Sequence, residues 1–239
     1  AEGINGCTLT LLDDVTLTSM SSYASYVNTG TFTLDLNGKT LSSNKRTLEV
    51  MGSADLTIRD GIGGGKIVST DSSAVYLSGG KLTIESGIFE GSLDGVFLSG
   101  SSTLTVKGGT FTGSRAMITG FGSNCVIDLT NIDPAGFTLK NNGSGTFAPK
   151  LPEGYGMVGS DGKLLTSLSA EQSATVHKHE YKYTDLGDGN HQQACSCGLT
   201  TGEPAAHSTT AEDDKGATCA ASAYCPVCEG YYGEADKNN

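Results

Sequence analysis

Apolar residues in this chain come in short pairs with one residue between the members: Leu34/Leu36, Leu56/Ile58, Leu82/Ile84, Leu104/Val106 and, more loosely, Val126. Such alternation is the signature of a strand with one buried face. The step from Leu34 to Leu56 equals that from Leu82 to Leu104, a period of about 22 residues. A second apolar column follows further along each turn, at Leu41, Phe89 and Phe111. Ile67 joins it if residues 62–65 are an insertion, which also accounts for the longer turn between Leu56 and Lys81. A third segment supplies Leu48/Val50, Val75/Leu77, Val96/Leu98 and Ile118. Gly, Ser, Asn and Asp stand between the segments, where the chain must turn sharply.

Three short strands per turn, repeated at a fixed period, predict an all-β fold: a right-handed parallel β-helix, or solenoid, of about 22 residues per turn. Roughly six turns fit between residues 8 and 147, each about 4.8 Å above the last. Like residues then stack on like, and Phe89 over Phe111 is an expected aromatic stack. An antiparallel sandwich could also hold many short strands but needs no such register. The phrase Leu34-Asp-Leu-Asn-Gly-Lys-Thr-Leu41 resembles the right-handed β-helix repeats of secreted bacterial proteins. The resemblance extends over the whole repeat region and implies a fold, not a function.

Composition narrows the function classes. Glycine, at 34 residues, suits many tight turns, and the formal charge of −11 argues against nucleic acid and anionic membranes as partners. No run of 18 apolar residues predicts a membrane-spanning helix within the chain. The acidity is uneven: positions 170–239 carry a net −7 and positions 1–169 only −4. The chain opens at Ala1 without Met or a signal peptide, which suggests a processed product or an excised piece.

Right-handed β-helices include polysaccharide lyases and glycosidases, which group acidic residues on one exposed face of adjacent turns. Here the exposed position after the first strand reads Asn37, Arg59, Glu85, Lys107, placing Glu85 between two cations as a surface ladder. Asp60 and Asp94 belong to other columns, Glu90 lies one strand further round, and no catalytic carboxylate pair is visible. Thr57, Thr83 and Thr105 form an outward column of ordinary β-prone residues. Cys7 and Cys125 lie too many turns apart to be bridged and are expected as small buried side chains. Tyr76 and Phe97 are aromatic candidates on the third strand face.

The repeat fades after Asp128. We assign residues 1–150 to the β-helix, 151–176 to a capping hairpin (155–165) and a polar linker (166–175), and 177–239 to a small module. That module holds four His and five Cys between positions 177 and 228 and few apolar residues, so it needs disulfides or a metal to fold. Cys225-Pro-Val-Cys228 has the spacing of a zinc knuckle. Two structural zinc ions would take eight of nine available ligands: His179, His191, Cys195 and Cys197 at one site, and His207, Cys219, Cys225 and Cys228 at the other. His177 can replace His179 or His191. Disulfides are the alternative in an oxidising setting, though five Cys cannot all pair and four His would stay unexplained.

The order His177/His179, Cys195-Ser-Cys-Gly198, Ala206-His207, Ala217-Thr-Cys219 and Cys225-Pro-Val-Cys228 resembles the His- and Cys-containing repeats in large surface proteins of Gram-positive gut anaerobes. Glu229 departs from that pattern, in which Gly follows the last Cys. The resemblance implies a structural module on a bacterial cell-surface or secreted protein. The resulting expectation is a non-enzymatic, adhesin-like unit presenting a β-helix surface to glycans or to host or microbial proteins. A carbohydrate-active enzyme is the rival, and a metal scavenger a distant third.

Overall fold

The computed structural model describes residues 6–18, 21–207, 223–225 and 227–232. They are all strand, turn and loop, with no helix among them. The chain divides into two compact units, residues 1–161 with 165–177, and residues 162–164 with 178–239.

The first unit is a parallel β-solenoid of about six turns, as the repeat predicts. Its first sheet holds six strands, Cys7–Thr10, Thr31–Asp35, Asp55–Arg59, Lys81–Ile84, Thr103–Val106 and Val126–Asp128. The second holds five, Val15–Leu17, Thr40–Ser43, Lys66–Ser69, Ile88–Gly91 and Thr110–Thr112. The third stacks Tyr23–Val27, Arg46–Met51, Val75–Ser78, Asp94–Ser99, Ala116–Phe121 and Thr138–Asn141 in parallel before it changes direction. Inward residues of all three sheets form one core in which Leu36, Ile58, Ile67, Leu77, Ile84, Phe89 and Ile118 are fully buried. Burial of these rows drives the fold, at about 25 cal/mol per Å² of apolar surface removed from water.

The second and third columns stack in the expected register. Leu41, Ile67, Phe89 and Phe111 are successive partners, so residues 62–65 are indeed extra. The Phe89 and Phe111 rings lie 5.2 Å apart and 13° from parallel. The first column needs two corrections. Phe32 and Leu34, rather than Leu34 and Leu36, partner Leu56 and Ile58, so the chain travels further in that turn than the spacing of the two leucines suggests. At the last rung Ile127 takes the inward place over Leu104, and Val126 is exposed. A one-residue slip exchanges the faces of a strand, and burying the larger side chain decides it. The same register extends the outward threonine column to Thr8, Thr33, Thr57, Thr83 and Thr105.

Segment 166–175 is not a linker. Ser173–Lys178 pairs antiparallel with Thr138–Asn141, and Leu168, Ala174 and Val176 are buried in the core. Tyr155–Val158 and Leu164–Leu165 lie beyond it in the same sheet. The reversal occupies the edge that the last parallel strand would otherwise leave open. The polar face of 173–178 hides an alternating pattern too short to stand out in the sequence.

Candidate metal centres and a groove on the third sheet

The second unit is built on a three-stranded antiparallel sheet, Tyr181–Asp185, Asn190–Cys195 and Thr200–Ala206, with a separate pair, Ala223–Cys225 and Gly230–Tyr232. Tight turns set the candidate ligands. In the first turn Asp185 Oδ1 accepts the Gly187 N–H at 2.8 Å and Asp188 Oδ1 accepts the Asn190 N–H at 3.0 Å. In the second, Gly198 sits at φ +89°, where an L side chain is strained, and its N–H donates to the Cys195 carbonyl at 2.9 Å. That turn folds Cys195 and Cys197 onto one side.

Two groups of four donors result: His177, His179, Cys195 and Cys197, and His191, His207, Cys225 and Cys228. Within each, the ligand atoms lie within 4.8 Å of one another, and each could hold a metal ion. Cys197 Sγ is 3.4 Å from His179 Nδ1, Cys225 Sγ is 3.6 Å from His191 Nδ1, and Cys228 Sγ is 3.6 Å from His207 Nδ1. A tetrahedral ion with ordinary metal–sulfur and metal–nitrogen bonds imposes about 3.6 Å between such atoms. The donor sets therefore fit a four-coordinate ion.

His191 is not placed with Cys195 and Cys197. Residues four apart on a strand are about 13 Å apart, too far to share an ion. The hairpin instead returns the end of Thr200–Ala206 beside Asn190, so His207 meets His191, their rings 5.3 Å apart. His177, named as an alternative ligand, joins the first group, and Cys219 lies outside the described residues.

One supporting residue escapes the sequence reading. Asp185 Oδ1 accepts the Nε2–H of His207 at 3.1 Å, leaving Nδ1 toward Cys228. Its backbone bond from Gly187, opposed by partial desolvation and aided by His207, holds the Asp185 carboxyl below the ordinary range. Burial works against charge on His207, but bonds to Cys225 and Asp185 outweigh it and raise its pKa. A carboxylate behind a ligating histidine fixes its tautomer and ring plane. Burial, with Cys195 alongside, pushes the Cys197 thiol up, so its thiolate needs a cation beside it. The only sign of Asp185 in the sequence is its place in an Asp/Gly turn.

On the solenoid the charged ladder differs from expectation. Lys107 pairs with Glu85 at 3.4 Å, but Arg59 turns to Asp35, its direct register partner, at 3.1 Å. Glu90 pairs with Lys66, and Asp60 accepts the Gly38 and Gly65 N–H groups. Cys125 is buried as expected, and desolvation raises its pKa, whereas Cys7 is only half-buried.

The third sheet carries a groove of about 320 Å³ among Arg46, Tyr76, Phe97, Arg115, Phe121 and Asn142. Tyr76 stacks on Phe97 at 4.9 Å, and the Arg46 guanidinium lies 3.6 Å over the Tyr76 ring. Beneath, Glu49 accepts from Arg46 and from Ser78 Oγ, the latter at 3.0 Å. Asp94 is fully buried and accepts from Arg115, Ser73 and Thr119. No carboxylate lines the groove itself among the described residues.

Comparison with family models, curated proteins and solved structures returns no match. Function is therefore read from the donor sets and the groove.

Proposed function

We propose that this chain is a non-catalytic display unit of a secreted or cell-surface bacterial protein. The solenoid offers its flank to glycans or proteins, and the C-terminal unit is a structural module held by two zinc ions. The observation that carries this reading is the pair of four-residue His/Cys donor sets. Four protein ligands close a tetrahedral shell and leave no position for substrate, as in structural rather than catalytic sites. Two sulfur and two nitrogen donors suit zinc far better than magnesium or calcium. When bound, the ion supplies folding free energy to a unit with little apolar core. The Gram-positive surface repeats that the His/Cys order resembles support the location.

The rival enzyme reading lacks a matching constellation among the described residues. Glu49 and Asp94, the carboxylates paired with the groove arginines, are committed to arginine and hydroxyl partners. Elemental analysis and X-ray absorption of the purified chain test the proposal. Two zinc equivalents with mixed sulfur and nitrogen shells are expected, and no product from a panel of polysaccharides. Metal-free protein with oxidised cysteines, or sustained product release, would overturn it.

A further inference from the structure

The groove on the third sheet has a chemistry of its own. Each arginine there is paired, but the pairs are layered. The Arg46 and Arg115 side chains are 29% and 25% exposed, while their partners Glu49 and Asp94 are 7% and 0% exposed. The charge that faces solvent is thus guanidinium, with the carboxylates underneath as anchors. Arg115 commits Nε and one terminal nitrogen to Asp94, and Arg46 commits one terminal nitrogen to Glu49. The remaining N–H groups of both donate to no side chain or carbonyl among the described residues. A guanidinium held rigid from behind offers a planar fork suited to a carboxylate.

Apolar surface lies beside these donors. Phe121 is 48% and Leu93 40% exposed, both at the groove. The Asn142 side chain, at the far end, adds an amide. Contributions come from five successive rungs, Arg46, Tyr76, Phe97, Phe121 and Asn142, stacked about 4.8 Å apart. One rung is close in length to one sugar residue of a linear glycan. A sugar acid combines a hydrocarbon ring face with a carboxylate, the pairing of surfaces found here.

We infer that this groove binds a linear glycan bearing carboxylates, a hexuronate-type chain, with Arg46 and Arg115 on the carboxylates and Phe121 under a ring face. The inference rests on the display reading above and names its ligand class and binding patch. The exposed carboxylate that acts on Arg115, Glu171, is itself paired with Lys140 at 3.3 Å.

Calorimetric titration with 1,4-linked hexuronic acid oligomers tests it, with their methyl esters, neutral hexose oligomers and a poly-glutamate peptide as controls. The acid oligomers are expected to bind, the esters and neutral oligomers at least tenfold more weakly. Phe121→Ser, at the solvent-facing side of the groove, is expected to weaken binding at least tenfold while the melting curve stays intact. Arg46→Gln is expected to weaken binding as much and, by leaving buried Glu49 without its cation, to lower the melting point as well. Arg115→Lys is a poorer probe because it disturbs buried Asp94. Equal binding by the variants would overturn the groove assignment and leave the display reading standing. Equal binding of neutral oligomers, preference for the peptide, or no uronate binding would overturn the ligand class. Recovery of the oligomers in cleaved form would instead overturn the display reading.

Discussion

Asp60 shows how much a single side chain can organise in a repeat. Its two oxygens accept the N–H groups of Gly38, one turn below, at 2.7 Å and of Gly65, at the end of the inserted loop, at 2.6 Å. Desolvation raises its pKa, but these bonds, with those from Gly63 and Ile62, outweigh it and lower the value. Asp60→Asn keeps only one acceptor oxygen and is expected to cost the solenoid about 1–2 kcal/mol in a denaturant titration. The sign of the pH effect follows. A depressed folded-state pKa gives a contribution complete above about pH 4 and lost as pH falls through the lowered value. The wild-type advantage over Asp60→Asn should therefore shrink only in acid. Glu229 is the opposite case, a residue working against its backbone. It sits at φ +54°, in the left-handed region. The sequence marks this position as the one departure from a glycine pattern. Glu229→Gly should raise the stability of the metal-loaded module by about 1 kcal/mol, read from its unfolding transition.

At the scale of strands and turns, what the sequence discloses depends on distance. The apolar columns through Leu41, Phe89 and Val96 are legible because one rule, inward alternation at a fixed period, governs every rung. Register fails only in the first column, where the pattern offers a choice of apolar residues, Phe32 against Leu36 and Val126 against Ile127. The two Cys pairs are legible as candidate ligands for a similar reason, since both partners lie in one turn. Which histidine serves which pair is not, because the answer lies in hairpin pairing between Asn190–Cys195 and Thr200–Ala206. The groove is invisible for the same cause: Arg46 and Arg115 are far apart in the chain and meet only through stacking. Asp185 belongs to this scale, joining a turn to a ligand. Asp185→Asn is expected to weaken metal binding at the second group by about 10–100-fold and leave the first unchanged. Competition with a graded series of chelators, followed by the metal remaining per chain, would measure it; equal loss at both groups would contradict the grouping.

The whole molecule combines two ways of making a fold stable. The solenoid buries continuous rows of Leu, Ile, Val and Phe. The second unit has strands whose faces are largely exposed, Tyr181–Asp185 and Thr200–Ala206 among them, and its buried positions among the described residues are the candidate ligands, Cys195, Cys197, His191, His207 and Cys225. One unit should therefore ignore metal removal and the other depend on it. Amide hydrogen exchange on the full chain, before and after chelation, tests this most directly. Loss of protection confined to Tyr181–Asp185, Asn190–Cys195 and Thr200–Ala206, with the parallel strands of the three solenoid sheets unchanged, is the predicted result. Unaltered protection in those three strands, or equal loss across the solenoid, would contradict the account.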